Sequence, residues 1–560
     1  MGPKIRARSA VTAPDGRLII SGKRQATSET IISKSPATLE PIGEASLAAQ
    51  AQCAEAISAA AGAFPAWRGL PLADKKKIFH SARRILLDRK SEAARLISLE
   101  KGSPITESMI VEVLGSLNAL DYYSHHLEKS FRSQRVRPSV PLFAHKKSAF
   151  HFQPLGPTLV ISPWNFPFLI PLYDVTAAMV AGNTVVLRPS TSTPLIALFL
   201  GEIFAEAGLP PGVLNVVPCR AAQAEEMITN PKIQTVMFTG SVPIGKRVME
   251  LASRNLTTVV LELGGKDPMV VLRDADIEKA ARGAVWTGFM NCGQSCASIE
   301  RVYVAREIAE KFIARVVDLT RELKVGNPLD PDIDMGPMTT LGQLQTVEDH
   351  IRDAREKGAE VLAGGERIQN LPGYFIAPTV LTRVNHTMKV MTEETFGPVL
   401  PIMTFSGVDE AIALANDCAY GLTASVWTRD RRSAAALAAK LEAGTVTIND
   451  HMYSFTEPRA IWGGIKQTGT ARSHGPYGLL HLQNIKFVSS EFLSKKTPLW
   501  WFPYARPKLA IVEKALILLH DGRFRTKLRA LASLLPFLKT VGRAVPISGV
   551  LRISARLFRK

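Results

Sequence analysis

The chain has 560 residues, with 68 Lys and Arg against 50 Asp and Glu, for a formal net charge of +18. With 46% hydrophobic and 21% charged residues it can bury a large core, which excludes wholesale disorder; its length points to two or three structural units. Five scattered cysteines (Cys53, Cys219, Cys292, Cys296, Cys418) exclude a disulfide framework and point to a reducing compartment.

The charge is concentrated at the ends. Residues 1–24 carry six Lys/Arg and one acid, Asp15, for +5. Residues 501–560 carry 13 Lys/Arg against Glu513 and Asp521, for +11, which leaves +2 for the whole of 25–500. Basic ends on a nearly neutral body invite nucleic acid, an anionic membrane or an acidic ligand as partner. No apolar h-region follows the N-terminus, so a secretory signal is not expected. Met1-Gly2 opens like a myristoylation site, but Arg6 stands where that motif needs Ser or Thr.

From about Ala45 to Gly102 apolar residues recur at three- and four-residue spacing, which predicts helices. One face is formed by Ile78, Ala82, Ile85 and Leu86, with Lys75, Lys76, Arg83 and Arg84 mostly outside it. Short β-branched runs follow: 158–162, 184–188, 214–217, 235–238 and 257–263, the last ending in Gly264-Gly265. Helical segments separate them, a pattern that predicts βαβ units and a parallel sheet covered on both faces. Runs at 301–304, 424–427 and 444–449 predict a second α/β unit. No stretch offers the roughly 20 apolar residues of a membrane span; Leu155 to Leu187 is interrupted by Asn165, Asp174 and Asn183. After about Lys495 the composition shifts to Trp500-Trp501-Phe502-Pro503-Tyr504 and two amphipathic stretches, Lys508–Leu519 and Phe524–Leu535. In the second, Phe524, Leu528, Leu531 and Leu535 share a face. That pattern suits an interfacial helix and equally a helix docked on a core.

Cys296, in the run Phe289 to Cys296, is the candidate nucleophile, while Cys53, Cys219 and Cys418 read as small buried hydrophobes. Cys292 and Cys296 lack a nearby third ligand, so no metal site is expected. A reactive thiol needs positive potential or an adjacent base. Glu262, closing an apolar strand before a Gly-Gly turn, is a candidate base whose pKa burial would raise.

Six motifs occur in order: Pro163-Trp-Asn-Phe-Pro167, Phe238-Thr-Gly-Ser-Val-Pro-Ile-Gly245, Leu261-Glu-Leu-Gly-Gly-Lys266, Asn291-Cys-Gly-Gln-Ser-Cys296, Glu393-Glu-Thr-Phe-Gly-Pro398 and Gly463-Gly-Ile-Lys-Gln-Thr-Gly469. Together they resemble the aldehyde dehydrogenase superfamily over roughly 30–490. The resemblance implies an α/β fold: a Rossmann-like cofactor domain (25–130 and 151–262), an α/β catalytic domain (263–477) and a small β oligomerisation unit (131–150 and 478–493). The basic segment 1–24 and a basic amphipathic tail, 494–560, flank these.

The resemblance further implies that the Cys296 thiolate adds to an aldehyde carbonyl. The oxyanion would be held by the Asn165 amide and the Cys296 N–H, and the thioester left by hydride transfer would be hydrolysed by water that Glu262 activates. The presence of Glu262 favours a free carboxylic acid as product. The cofactor is NAD or NADP. Gly240-Ser-Val-Pro-Ile-Gly245 opens a helix whose N-terminus suits a pyrophosphate, so Gly240, Ser241 and Gly245 are candidate contacts. The family adds Trp164, Gly212 near the adenosine, and Glu394 and Phe396 beside the nicotinamide ribose and ring.

The sequence departs from the family at two places. Arg188 stands where Lys is usual at the adenosine ribose, and Thr191 stands where NAD-preferring members commonly have Glu; both suit a 2′-phosphate and predict that NADP is accepted. A surface salt-bridge role for Arg188 is the alternative. Asp174 stands where some relatives have a proton-relay Lys.

The expected partners are a small-molecule aldehyde and further copies of the chain, as a dimer or tetramer. An anionic membrane surface is the expected partner of 495–560, with the tail as a cap on the subunit as its alternative. No specific nucleic acid is expected, since no RNP-type motif is present. The expected location is cytoplasmic, peripheral on the inner face of a membrane, and the substrate a lipophilic or long-chain aldehyde. A soluble semialdehyde or betaine-aldehyde-type dehydrogenase, or a binding protein that has lost its chemistry, are the competing readings.

Overall fold

In the computed structural model, residues 15–140, 143, 145–492, 500–534 and 536 are described, without the side chains of 126–131. The β-branched runs pair as parallel strands because buried neighbours on both faces favour continuous apolar sequence. The first sheet runs Thr258–Glu262, Thr235–Thr239, Thr158–Ile161, Val185–Arg188, Leu214–Val216, Leu18–Ile20 and Lys23–Gln25, the last two antiparallel to the rest or to each other. The second runs Glu360–Ala363, Thr379–Thr382, Val399–Phe405, Ile299–Ala305, Asp267–Val271, Thr423–Trp427 and Thr445–Ile448, parallel except at its Glu360–Ala363 edge.

The strands of the first sheet come from 18–262 and those of the second from 267–448, so the chain passes between sheets at Gly264-Gly265. Both sheets belong to one compact unit, whose described residues are 15–130 and 154–483. The expected N-terminal appendage at 1–24 overlaps this unit. Leu18 and Ile20 are fully buried and Ile19 pairs with Val216, because an apolar triplet finds the open edge of the sheet despite its basic flanks. Residues 1–14 lie outside the described residues.

The helical region 45–102 resolves into Gln50–Gly69, Leu72–Asp88 and Lys90–Lys101. The inward face of the middle helix is Lys75, Phe79, Ala82 and Leu86, so the expectation that Lys75 lies outside is corrected. Its stem is buried and its ammonium sits 5.0 Å from the Trp67 ring; burial lowers its pKa to about 8.

The second unit holds, among described residues, 131–153 and 484–536. A three-stranded sheet, in the order Gln483–Glu491, Lys146–Pro154, Gln134–Val136, is followed by helices Arg506–His520 and Phe524–Ala532. Residues 478–482, expected in this unit, fall in the first one because the Gly475–Leu480 helix packs with the Leu169–Val180 helix. No helix among the described residues is long and apolar enough to cross a membrane.

Candidate active site

The Thr235–Thr239 and Thr258–Glu262 strands run in register, with Thr239 beside Glu262. Their carboxyl ends therefore open on one crevice, the usual place for a ligand in a parallel sheet. The Gly240 N–H donates to the Glu262 carbonyl (3.0 Å), and Ser241 begins the Val242–Ala252 helix. The helix delivers unsatisfied backbone N–H groups to the crevice.

Cys296 reaches this crevice from the other sheet, on a loop that reverses sharply. Asn291, Cys292 and Gly293 all have left-handed φ (54°, 54° and 70°). A Cβ on Gly293 would lie 2.2 Å from the Gly397 carbonyl oxygen, so glycine is required there. Asn291 fastens the loop: its Nδ2 donates to the Asn165 and Gln294 carbonyls (3.0 Å each), and its N–H donates to Glu107 Oε2 (2.9 Å). Gln294 adds a bond from Nε2 to the Asn291 carbonyl (2.9 Å). Cys292 is buried with its thiol against Met338 Sδ (3.5 Å), away from the crevice.

A cavity of about 220 Å³ joins these parts. Trp164, Asn165, Gly240, Ser241, Glu262, Cys296, Glu394 and Phe396 all line it, so eight of the eleven expected site residues come together. Three stand outside its wall. Gly245 serves packing, since a Cβ there would meet Leu263 at 2.4 Å. Gly212 turns the chain at φ 83° against the Ala59 carbonyl. Arg188 ends its strand with Nη2 donating to the Cys219 carbonyl (2.8 Å), while its Nε–H is buried without a partner.

Electrostatics sets the protonation states. Burial pushes the Cys296 thiol up, and the carboxyls of Asp267, Glu394 and Glu262 add to it. No cation among the described residues offsets this, which favours the protonated thiol at rest. Burial holds the Glu262 carboxyl well above the usual range, and Asp174 raises it further; Ser473 and Arg472 offset part of that. Neither Glu262 oxygen makes a hydrogen bond of normal geometry. The Asn165 Nδ2 donates to the Gln294 carbonyl (3.1 Å), which engages one of its two N–H bonds and leaves the second.

A second, narrow cavity of about 20 Å³ shares Thr239, Glu262, Leu263 and Cys296 with the first. Beyond them it is walled by Ile170, Phe455, Trp462 and Ser473, with Asp174 and His474 as its titratable groups. Burial raises Asp174 to about 7 and lowers His474 to about 3, leaving a neutral imidazole stacked on Tyr173 at 4.0 Å.

The sequence reading missed the scaffold behind Glu394 and Phe396. Glu300 accepts from the Thr395 and Phe396 N–H groups (2.8 and 2.9 Å) and pairs with Lys266 Nζ (2.6 Å), which also donates to Thr395 Oγ1 (3.0 Å). Glu394 in turn accepts from the Gly265 N–H (3.0 Å), and burial lifts its carboxyl to about 8. A charge inside the apolar run 299–305 was the available signal for Glu300. Gln343 and Thr346, which close the cleft from the Leu341–Glu356 helix, had none.

The cleft suits a dinucleotide on its own features. It is open beside a helix start, bounded by the Trp164 and Phe396 rings 5.5 Å apart, and carries a carboxyl at Glu394 to accept from ribose hydroxyls. No cluster of three or more metal-ligating side chains occurs among the described residues.

Comparison with known proteins agrees. Residues 23–488 match the model of the aldehyde dehydrogenase family. The chain is 36% identical over 453 residues to a betaine aldehyde dehydrogenase of Cereibacter sphaeroides, covering 81% of this chain and 92% of that protein. It is 34% identical over 487 residues to a putative succinate-semialdehyde dehydrogenase [NADP(+)] 2 of Mycobacterium tuberculosis, covering 86% and 92%. Among solved structures, an E. coli NADP-dependent enzyme superposes with a TM-score of 0.83 at 33% identity, covering 86% of this chain and 99% of that one. The chain therefore belongs to the aldehyde dehydrogenase family, and it is an oxidoreductase that converts an aldehyde to its carboxylic acid with NAD or NADP.

Proposed function

We propose that Cys296 is the nucleophile, Glu262 the general base and Asn165 an oxyanion donor, and that an aldehyde without negative charge is the substrate. The observation that carries this reading is the convergence of all three side chains on one cleft beside the Gly240-Ser241 helix start. The thiol gives its proton to a base as sulfur adds to the carbonyl carbon; Glu262, buried, uncommitted and raised in pKa, suits that task. The oxygen of the thiohemiacetal then takes the free Asn165 N–H and the Cys296 N–H. NAD(P)+ supplies the hydride acceptor. Once Glu262 has passed the thiol proton to solvent, it takes one from the water that attacks the acyl carbon on Cys296; as the C–S bond breaks the acid is released and Glu262 returns its proton to sulfur.

Trp164, Gly240, Ser241, Glu394 and Phe396 would hold the dinucleotide, with Gly245 and Gly212 shaping the backbone around it. Arg188, with its buried unpaired Nε–H and with Thr191 in place of an acid, supports acceptance of NADP. A homodimer or tetramer is proposed on the exposed Ile485, Phe487 and Val488 of the Gln483–Glu491 strand, an edge that needs cover.

The inner cavity supports the substrate class. Beyond the residues it shares with the cleft, Glu262 and Cys296 among them, its walls are mostly apolar or aromatic, its further carboxyl is Asp174, and none of its lining residues is Lys or Arg, so a carboxylate beside the formyl group is disfavoured. A lipophilic aldehyde fits the Ile170, Phe455 and Trp462 surfaces. A cationic aldehyde is the second reading, favoured by a carboxyl next to aromatic faces. NAD(P)H production from a panel of alkanals, an ammonium aldehyde and a carboxylate semialdehyde, with both cofactors, tests this. Highest kcat/KM with an uncharged or cationic member is expected; preference for the semialdehyde would reject the substrate reading.

A further inference from the structure

We propose that the C-terminal helix pair is a docking surface for an anionic lipid membrane. This segment lies beyond the family match, which stops at residue 488, and its design differs from that of the enzyme before it.

Trp500 turns inward, stacked on His145 (6.1 Å between centroids, 27° between planes) and edge-on to Phe143 (5.1 Å). The residues after it do the opposite. Trp501, Phe502 and Tyr504 are 56%, 75% and 70% exposed, a cluster of amphipathic and apolar rings in water. Rings of this kind are stabilised at the boundary between headgroups and acyl chains.

The Arg506–His520 helix carries two apolar stripes. Ile511 and Leu518, seven residues apart, are buried. Leu509, Val512 and Leu516 lie on the opposite side of the helix and are exposed, Leu509 at 61% and Leu516 at 53%. The Phe524–Ala532 helix packs on it, burying Ala530 while leaving Phe524 and Leu528 exposed. Each helix therefore has an inner face already satisfied and an outer apolar face with no partner among the described residues.

Charge identifies the partner. Arg506, Lys514, Arg525, Lys527 and Arg529 make no ion pair among the described residues, in contrast to Arg523, which pairs with Asp521 at 2.9 Å. Lys527 and Arg525 flank the Phe524–Leu528 stripe on its two sides. An apolar stripe edged by unpaired cations complements a surface that is anionic at the headgroups and apolar beneath. A second copy of the chain would set these cations against their like, and nucleic acid would leave the apolar stripe in water.

Flotation of the full-length protein with vesicles tests this. It should float with mixed phosphatidylcholine–phosphatidylglycerol vesicles and not with phosphatidylcholine alone. Binding should weaken from ~0.1 M to ~1 M salt as the screening length shortens from about 10 Å to about 3 Å. Replacing exposed apolar groups (Trp501→Ser, Leu509→Ser, Leu516→Ser) or exposed cations (Arg525→Glu, Lys527→Glu) should each lower the vesicle partition by about tenfold or more. Aldehyde oxidation in vesicle-free buffer should stay at the wild-type level, which shows that the variants fold. The proposal is overturned if the wild type fails to float at low salt, or if both variant sets float as it does. It is equally overturned if the variants change only self-association or binding to DNA.

Discussion

The catalytic body and the C-terminal helix pair solve opposite problems with the same residue types. In the body, carboxyls are buried with less compensation than burial demands: Glu262, Asp174 and Glu394 all sit above their ordinary pKa, around a thiol whose pKa burial raises as well. In the helix pair the charges are solvated and the apolar groups are exposed. Buried charge is costly and persists where chemistry uses it; exposed apolar surface is costly and persists where a partner covers it. Most of the +18 of the chain, +5 in residues 1–24 and +11 in 501–560, therefore describes its ends and not its reaction.

The largest effect that bears on this contrast is removal of the proposed nucleophile. Cys296→Ala should reduce turnover by about 10⁴-fold or more, while Cys292→Ala, four residues away but packed on Met338, should act on stability alone. Steady-state NADPH production together with thermal unfolding separates the two. If Cys292→Ala silences turnover in a folded protein, the distinction between the cysteines fails.

Glu262→Gln comes next, with a loss of roughly 10² to 10⁴ in steady-state rate. A single, slower turnover of cofactor reduction should remain, because water takes the thiol proton in place of Glu262 whereas thioester hydrolysis depends on the base more heavily. Stopped-flow absorbance reads the burst; loss of burst and turnover together would place the chief role of Glu262 at the thiol instead.

Asp174→Asn probes the buried carboxyl pair. Asp174 binds its proton more tightly when folded, so its contribution to stability is complete at pH below its ordinary value of 3.8 and is lost as pH rises through about 7. The wild type should lose on the order of 4 kcal/mol over that window relative to the variant. The acid limb of the hydrolysis profile should also move to lower pH, because one negative neighbour of Glu262 is gone. Chemical denaturation and pH–rate profiles measure both, and unchanged curves would mean that Asp174 and Glu262 do not interact. The tail substitutions are expected to have the smallest effect, and to act on vesicle partition alone.

Much of the fold was legible because parallel strands need continuous β-branched runs: each run read from 158 to 263 is a strand in the first sheet. The Leu18–Ile20 strand was hidden by its basic flanks, since composition over 24 residues outweighs an apolar triplet. Lys75 was misplaced because charge was read as exposure, while its long stem and the Trp67 ring make burial affordable. At the site, Cys296, Glu262 and Asn165 were legible through motif order. Glu300 left a signal as a charge in an apolar run, but its pairing with Lys266, like the place of Gln343 and Thr346, became visible only when distant segments met, because contacts across more than 30 residues leave no local periodicity. Leu535, expected on the apolar face of the last helix, lies outside the described residues.

The central claim is that an acyl group is carried on Cys296 and released by Glu262. Mass spectrometry of Glu262→Gln after mixing with an aldehyde and NADP+ tests it most directly. The account predicts one acyl group per chain, on the peptide containing Cys296, absent when Cys296 is also replaced. An unmodified chain that still reduces cofactor, or an acyl group on any other cysteine, would contradict it.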